Sequence, residues 1–240
     1  MEFKEFSNKL INVAEKIDVS ISEEQCRYFY NYMKLLLEWN EKMNLTAITE
    51  PDEIILKHFI DSITAEKYIS KDSKMIDVGT GAGFPGIPLS IIRNDLDITL
   101  MDSLNKRIRF LDEVINENDL KNVETIHGRA EELARNKDFR EKYDVAISRA
   151  VAPLNILLEY LIPFLKVGGT CICMKGNNVE EELERSQKAL KVLSCEIEKI
   201  EKFNLPESEY GRNIIIVKKI GNISNKYPRK AGTPTKEPLI

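Results

Sequence analysis

The spacing of apolar positions changes character about a third of the way along the chain. Residues 1–70 contain no glycine, and their apolar side chains recur at helical intervals. Ser22-Glu23-Glu24-Gln25 has the spacing of a capping box. Phe29, Met33, Leu36 and Leu37 follow as a core-facing stripe. Asn44 to Thr49 closes that helix, and Pro51 opens the next, with Asp52 and Glu53 in its first turn. Ile55, Phe59, Ile60 and Ile63 form its apolar side, which leaves His58 and Asp61, at i and i+3, on the polar side beside Lys57, as an exposed ion-pair face or as an RNA or cofactor-lid contact. From residue 74 short apolar runs alternate with amphipathic stretches. The runs Met75–Val78, Ile98–Met101, Val123–Ile126, Asp144–Ser148 and Thr170–Met174 read as strands, with helices near 86–93, 104–118, 129–136, 153–162 and 178–192. Such alternation predicts a parallel sheet covered on both faces. Cys195–Phe203 and Asn213–Lys218 follow without a long helix between them and pair as an antiparallel hairpin at one edge.

The expected fold class is therefore α/β: a mostly parallel seven-stranded sheet with an antiparallel edge hairpin and a helical extension. The expected division is 1–70 for the extension packed on the core, 71–220 for the sheet domain and 221–240 for a basic, extended arm from Tyr227-Pro228-Arg229 to Pro238.

Composition narrows this picture only slightly. With 240 residues, 42% hydrophobic and 31% charged, the chain can bury a substantial core. No run approaches the ~18–20 apolar residues of a membrane span, and the first residues do not read as a signal peptide. A cytoplasmic location is expected. The cysteines, Cys26, Cys171, Cys173 and Cys195, fit neither a zinc knuckle nor a C-x-x-C pair, so buried free thiols are expected. With two histidines in all, no metal site is expected. The net charge of −4 argues against indiscriminate polyanion binding. Against it stands a local excess near the end: Lys218, Lys219, Lys226, Arg229, Lys230 and Lys236 face only Glu237, as a solubilising tail or a nucleic-acid contact.

The chemistry-bearing segment is Lys74 to Pro88, an apolar strand that runs into a glycine-rich turn and a helix. Gly81-Ala82-Gly83-Phe84-Pro85-Gly86 formally matches G-x-G-x-x-G. However, Pro85 and Pro88 remove amide donors at the helix start, where a pyrophosphate needs them. A phosphate-free ligand would not miss them. The better pattern is Asp77-x-Gly79-x-Gly81-x-Gly83, which resembles the first motif of class I S-adenosylmethionine-dependent methyltransferases. Asp102, ending the second strand, is placed either to accept ribose hydroxyls or to cap the following helix. His127-Gly128-Arg129-Ala130-Glu131-Glu132 reads as an adenine edge or as an ordinary turn with an acidic helix start. Arg149, ending a central strand, lies in the ligand crevice or forms a surface ion pair.

Together with Asn44 to Ile48, His58 to Ser62, Met101 to Arg107, Gly128 to Glu131, Ser148 to Pro153 and Arg229 to Leu239, these segments resemble the ribosomal RNA small subunit methyltransferase G family, also called glucose-inhibited division protein B. The likeness runs from about residue 25 to the terminus. It implies a Rossmann-like fold and transfer of a methyl group from S-adenosyl-L-methionine to guanine N7 in the 530-region loop of 16S ribosomal RNA, with the small ribosomal subunit as partner. It further implies cofactor contacts at Gly79, Phe84, Ala130, Glu131 and Arg149. Gly81 joins them through the glycine motif, and Asp102 through strand position. A monomer is expected, without membrane or metal. Guanine N7 carries an exposed lone pair at neutral pH, so no general base is expected. Methylation of another RNA, a protein or a small molecule is the alternative. A nicotinamide-dependent oxidoreductase and a non-catalytic regulatory module are more distant ones.

Overall fold

A computed structural model describes all 240 residues. Seven strands form one sheet in the order β3-β2-β1-β4-β5-β7-β6. They are β1 (Lys74–Val78), β2 (Asp97–Asp102), β3 (Val123–His127), β4 (Tyr143–Arg149), β5 (Leu165–Lys175), β6 (Cys195–Asn204) and β7 (Gly211–Lys219). The first five are parallel, whereas β7 is antiparallel to both β5 and β6. Each expected strand is present; most are extended by one to three residues, and β5 begins at Leu165, well before the expected Thr170. The order in which strands are added reverses between the parallel neighbours β1 and β4, so a crevice opens at the carboxyl edge, where ligands of such sheets bind. Because β7 runs backwards, its first residues also reach that edge, with Asn213 opposite Lys175.

Strand alternation sends side chains to two separate cores. Met75, Ile98, Leu100, Val145, Ile147, Ile172 and Ile214 face one core, and Ile76, Val78, Met101, Ala146, Cys171, Cys173 and Ile215 face the other. The first core takes in the N-terminal helices Phe3–Glu15 and Glu23–Met43 with the helices Gly86–Ile92 and Asn105–Glu117. The second takes in Leu154–Leu161, the pair Glu180–Arg185 and Gln187–Val192, and the chain's last segment. The four cysteines are buried free thiols. None of the helices is long and apolar enough to cross a membrane.

The capping box forms: the Gln25 amide donates to Ser22 Oγ at 3.2 Å and the Ser22 amide to Gln25 Oε1 at 2.9 Å. Asn44 ends that helix in the left-handed region at φ 48°. Residues 51–63 then form one helix that widens into a π turn over Ile54–Ile60. Here the pattern misled. His58 and Asp61 are 8% and 3% exposed, not on a solvent face, because every residue from 58 to 65 is buried between the helical extension and the sheet edge.

The last segment also differs from an extended basic arm. It packs against the second core through Ile223, Tyr227, Pro228, Pro234 and Leu239, with a short helix at Thr233–Lys236. Two of its expected surface cations are consumed. Lys219 is fully buried and donates to Glu141 and the Leu165 carbonyl, both at 2.7 Å. Arg229 is bound by the fully buried Glu159. Lys226, Lys230 and Lys236 remain exposed.

Candidate active site

The glycine loop after β1 is held by its own amides. Gly79 and Thr80 donate to the Met101 carbonyl, Gly81 to Asp102 Oδ2, and Gly83 and Phe84 to the Thr80 carbonyl. Gly86, the first residue of the next helix, donates to Asp77 Oδ2 at 2.8 Å. Ile87 donates to the Gly83 carbonyl, and Pro85 and Pro88 have no donor. A pyrophosphate cradle needs free amides at a helix start, and here they are spent. Burial raises the Asp77 carboxyl to about 7, against the lowering effect of Thr80 and Gly86. Its Oδ1 is buried without a partner.

Positive φ at Gly79 and Gly83, 72° and 98°, lets the loop turn where a side chain would strain it. A Cβ on Gly79 would lie 2.8 Å from Val151 Cγ2, and one on Gly83 2.7 Å from the Tyr32 hydroxyl. The loop is thus gripped between the segment after β4 and the helix Glu23–Met43, whose buried Tyr32 donates to the Ala82 carbonyl.

Two clefts open at the carboxyl edge. The first, about 280 Å³, is lined by Val78, Gly79, Met101, Ser103, residues 128–131, Val151, Tyr160, Gly232 and Thr235. The second, about 630 Å³, includes Lys57, His58, Asp61, Arg149, residues 150–153, Lys175, Glu182 and Arg212. They meet at Val151, which lines both. Of the sequence-predicted residues, Gly79, Ala130 and Glu131 therefore share the first cleft, and Arg149 lines the second. Gly81, in the loop after β1, and Asp102, which ends β2, line neither cleft. Asp102 is 2% exposed; its Oδ1 accepts the Leu104 amide and its Oδ2 accepts Gly81 and Arg107. It thereby orders the turn into the next helix and pairs with the half-buried Arg107. A carboxylate has about four acceptor sites, so one remains for a hydroxyl.

Phe84 turns its ring away from the first cleft, into the helical extension. It stacks on His58 with centroids 4.4 Å apart, and the Arg149 guanidinium lies 4.9 Å from its centroid on a cation–π contact. Arg149 donates to Asp61 Oδ2 at 2.9 Å and to the Lys57 carbonyl at 3.0 Å, and reaches His58 Nδ1 at 3.3 Å. Arginine only donates, so His58 Nδ1 accepts and its Nε2–H donates to Thr46 Oγ1 at 2.8 Å. The imidazole is neutral: burial, then the Arg149 charge, hold it down to about 3. Asp61 also accepts Arg212 Nε at 2.9 Å, so one buried carboxylate joins arginines from β4 and β7.

Lys175, at the end of β5, donates to Glu182 and to the Ala152 carbonyl; Glu182 also accepts the Leu154 amide. These bonds fix the segment after β4, where Ala150 adopts φ 56°. Sequence reading missed Arg212, Lys175, Glu182, Tyr160, Gly232 and Thr235. Arg212 had one available signal, its place at the start of a strand paired backwards to β5.

The loop, whose amides are spent, and the cleft beside it fit a ligand without phosphate. Residues 25–214 match the family of rRNA small subunit methyltransferase G. The ribosomal RNA small subunit methyltransferase G of Acetivibrio thermocellus is 54% identical over 231 residues, 96% of this chain and 95% of that one. Its counterpart in Alkaliphilus oremlandii is 50% identical over 228 residues, 94% and 95% of the two chains. Among solved structures, a SAM dependent methyltransferase from Aquifex aeolicus superposes with a TM-score of 0.54 at 18% identity, over 72% of this chain and 96% of that one, a likeness of fold.

Proposed function

The chain belongs to the rRNA small subunit methyltransferase G family, and from that premise we propose that it transfers the methyl group of S-adenosyl-L-methionine to N7 of a guanine in the 530-region loop of 16S ribosomal RNA. The cofactor supplies an electrophilic methyl on a sulfonium. The residues suited to hold it are Gly79, Ala130 and Glu131 along the first cleft, Asp102 at the ribose, and the backbone carbonyls of Gly81 and Phe84, whose amides are spent. The observation that carries the cofactor choice is the consumed set of amides around Asp77, which leaves no cradle for the phosphates of a nicotinamide cofactor.

The second cleft supports the choice of target. Its ionisable groups are paired, and its one histidine stays neutral and bound at both nitrogens. A hydroxyl or amine nucleophile needs a base poised near neutrality, and a group that titrates at about 3 is far from it. Guanine N7 needs only alignment with the methyl carbon and sulfur, and such positioning can supply ~7–11 kcal/mol. Arg149 lines this cleft with its charge already balanced by Asp61, so it can face guanine O6 without repelling a sulfonium. Exposed Lys106 and Arg109, and Lys226, Lys230 and Lys236 on the last segment, provide phosphate contacts for an otherwise acidic protein.

Mass mapping of 16S ribosomal RNA from cells with and without the protein tests the reaction. One methylated guanine disappears in its absence; an unchanged map refutes the rRNA target. Binding to the small subunit weakens with salt, and each phosphate-contacting lysine replaced by alanine reduces the salt slope by about one.

A further inference from the structure

Residues 215–240 lie beyond the matched family segment, yet part of them lines the first cleft. The anchoring of this segment is complete on its own. Arg229 donates three side-chain bonds and one amide bond to Glu159. Arg135 donates to the Pro228 and Lys226 carbonyls and Arg140 to the Tyr227 carbonyl. Tyr227 and Leu239 are buried in the second core. None of these contacts needs residues 230–236 to face the cleft.

Those residues face it nevertheless. Gly232, at φ 80°, aims its amide at Glu131 Oε1, 2.9 Å away, and Glu131 is only 7% exposed. Thr235 Oγ1 lies 3.1 Å from the Tyr160 hydroxyl. Gly232, Thr235 and Tyr160 thus line the same cleft as Gly79, Ser103 and residues 128–131. The turn after β3 and the last segment are joined by the one hydrogen bond between Glu131 and Gly232.

We propose that Gly232 and Thr235, with Tyr160, form the outer wall of the adenosyl site, so that the C-terminal segment is a cofactor-binding element of this chain. The inference rests on the cofactor reading above. Gly232 serves by orienting Glu131: its left-handed φ favours glycine, and its used amide excludes proline. Thr235 presents a hydroxyl and a methyl to a nucleoside. A chain of the same family that ends after its seventh strand would have an open cleft on this side.

Calorimetry with S-adenosylhomocysteine tests this on the full chain. Thr235→Trp fills the cleft from an exposed position, and at least a tenfold loss of affinity is expected, with an unchanged melting temperature. Gly232→Pro removes the amide given to Glu131 and cannot take the φ, and a loss of similar size is expected. In a second readout, the bound product slows tryptic cleavage after Lys230 and Lys236 in the unmodified protein. If the unmodified protein binds the product while Thr235→Trp binds it equally well, or if cleavage is unprotected, the wall assignment is overturned and the methyltransferase reading stands. If the unmodified protein gives no binding heat, the cofactor reading itself falls.

Discussion

The two clefts that meet at Val151 are built by opposite means. The first is shaped by backbone: glycines, strand ends and turns whose amides are tied to one another, with few charged side chains reaching in. The second is shaped by charge: two arginines on one carboxylate, a neutral histidine between an arginine and a threonine, and a lysine on a glutamate. A backbone site recognises a ligand by shape and is vulnerable to added bulk. A site of paired charges holds geometry by electrostatics and is vulnerable to loss of a partner, since an uncompensated buried ion is costly. The contrast matches what the proposed function asks of each cleft. A cofactor of constant structure suits a fixed mould, whereas a base presented by a large RNA needs groups held rigidly before it arrives.

The sharpest way to break the second cleft is Asp61→Ala. It strands Arg149 and Arg212 together, both largely buried, and should destabilise the fold by about 3 kcal/mol in urea titration. If Asp61→Ala costs less than 1 kcal/mol, the two arginines do not depend on it and the contrast fails. In the first cleft the corresponding change is Gly79→Ala. A left-handed alanine costs roughly 1–2 kcal/mol, and its Cβ also presses Val151 aside. Urea titration should show that cost, while Asp61 contacts stay intact.

A smaller effect, spread over pH, sets one cleft against the other. The His58 folded value is depressed, so its contribution is full above pH 6.5 and is lost as pH falls toward about 3. The Asp77 folded value is raised, so its contribution is full below pH 3.8 and is lost as pH rises toward about 7. Between those ordinary values the two slopes oppose and largely cancel. In His58→Asn, stability should fall with rising pH across this window; in Asp77→Asn, it should climb. Either slope is at most ~1.4 kcal/mol per pH unit. Parallel profiles for the two variants would show that the groups are not perturbed in opposite directions.

Local pattern foretold much of this architecture. The seven strands, the edge hairpin and the capping box at Ser22 all depend on neighbours in sequence, through a period of two or a spacing of three. The glycine motif was legible for the same reason, because φ > 0 is demanded within the loop itself. His58 and Asp61 were misread because helical periodicity names one buried face, and residues 58–65 are enclosed on every side. The last segment was misread because its proline- and lysine-rich composition hides partners such as Glu159, distant in sequence.

What the chain determines by itself, then, is the set of elements and the loop that refuses a pyrophosphate, since both follow from local sterics and missing donors at Pro85 and Pro88. Only the tertiary structure decides which charges meet. Asp61, Arg149 and Arg212 come from three elements far apart in the chain, and Glu131 finds Gly232 a hundred residues on. Pairing energies of that kind depend on distance and burial in space, quantities that no spacing along the chain encodes.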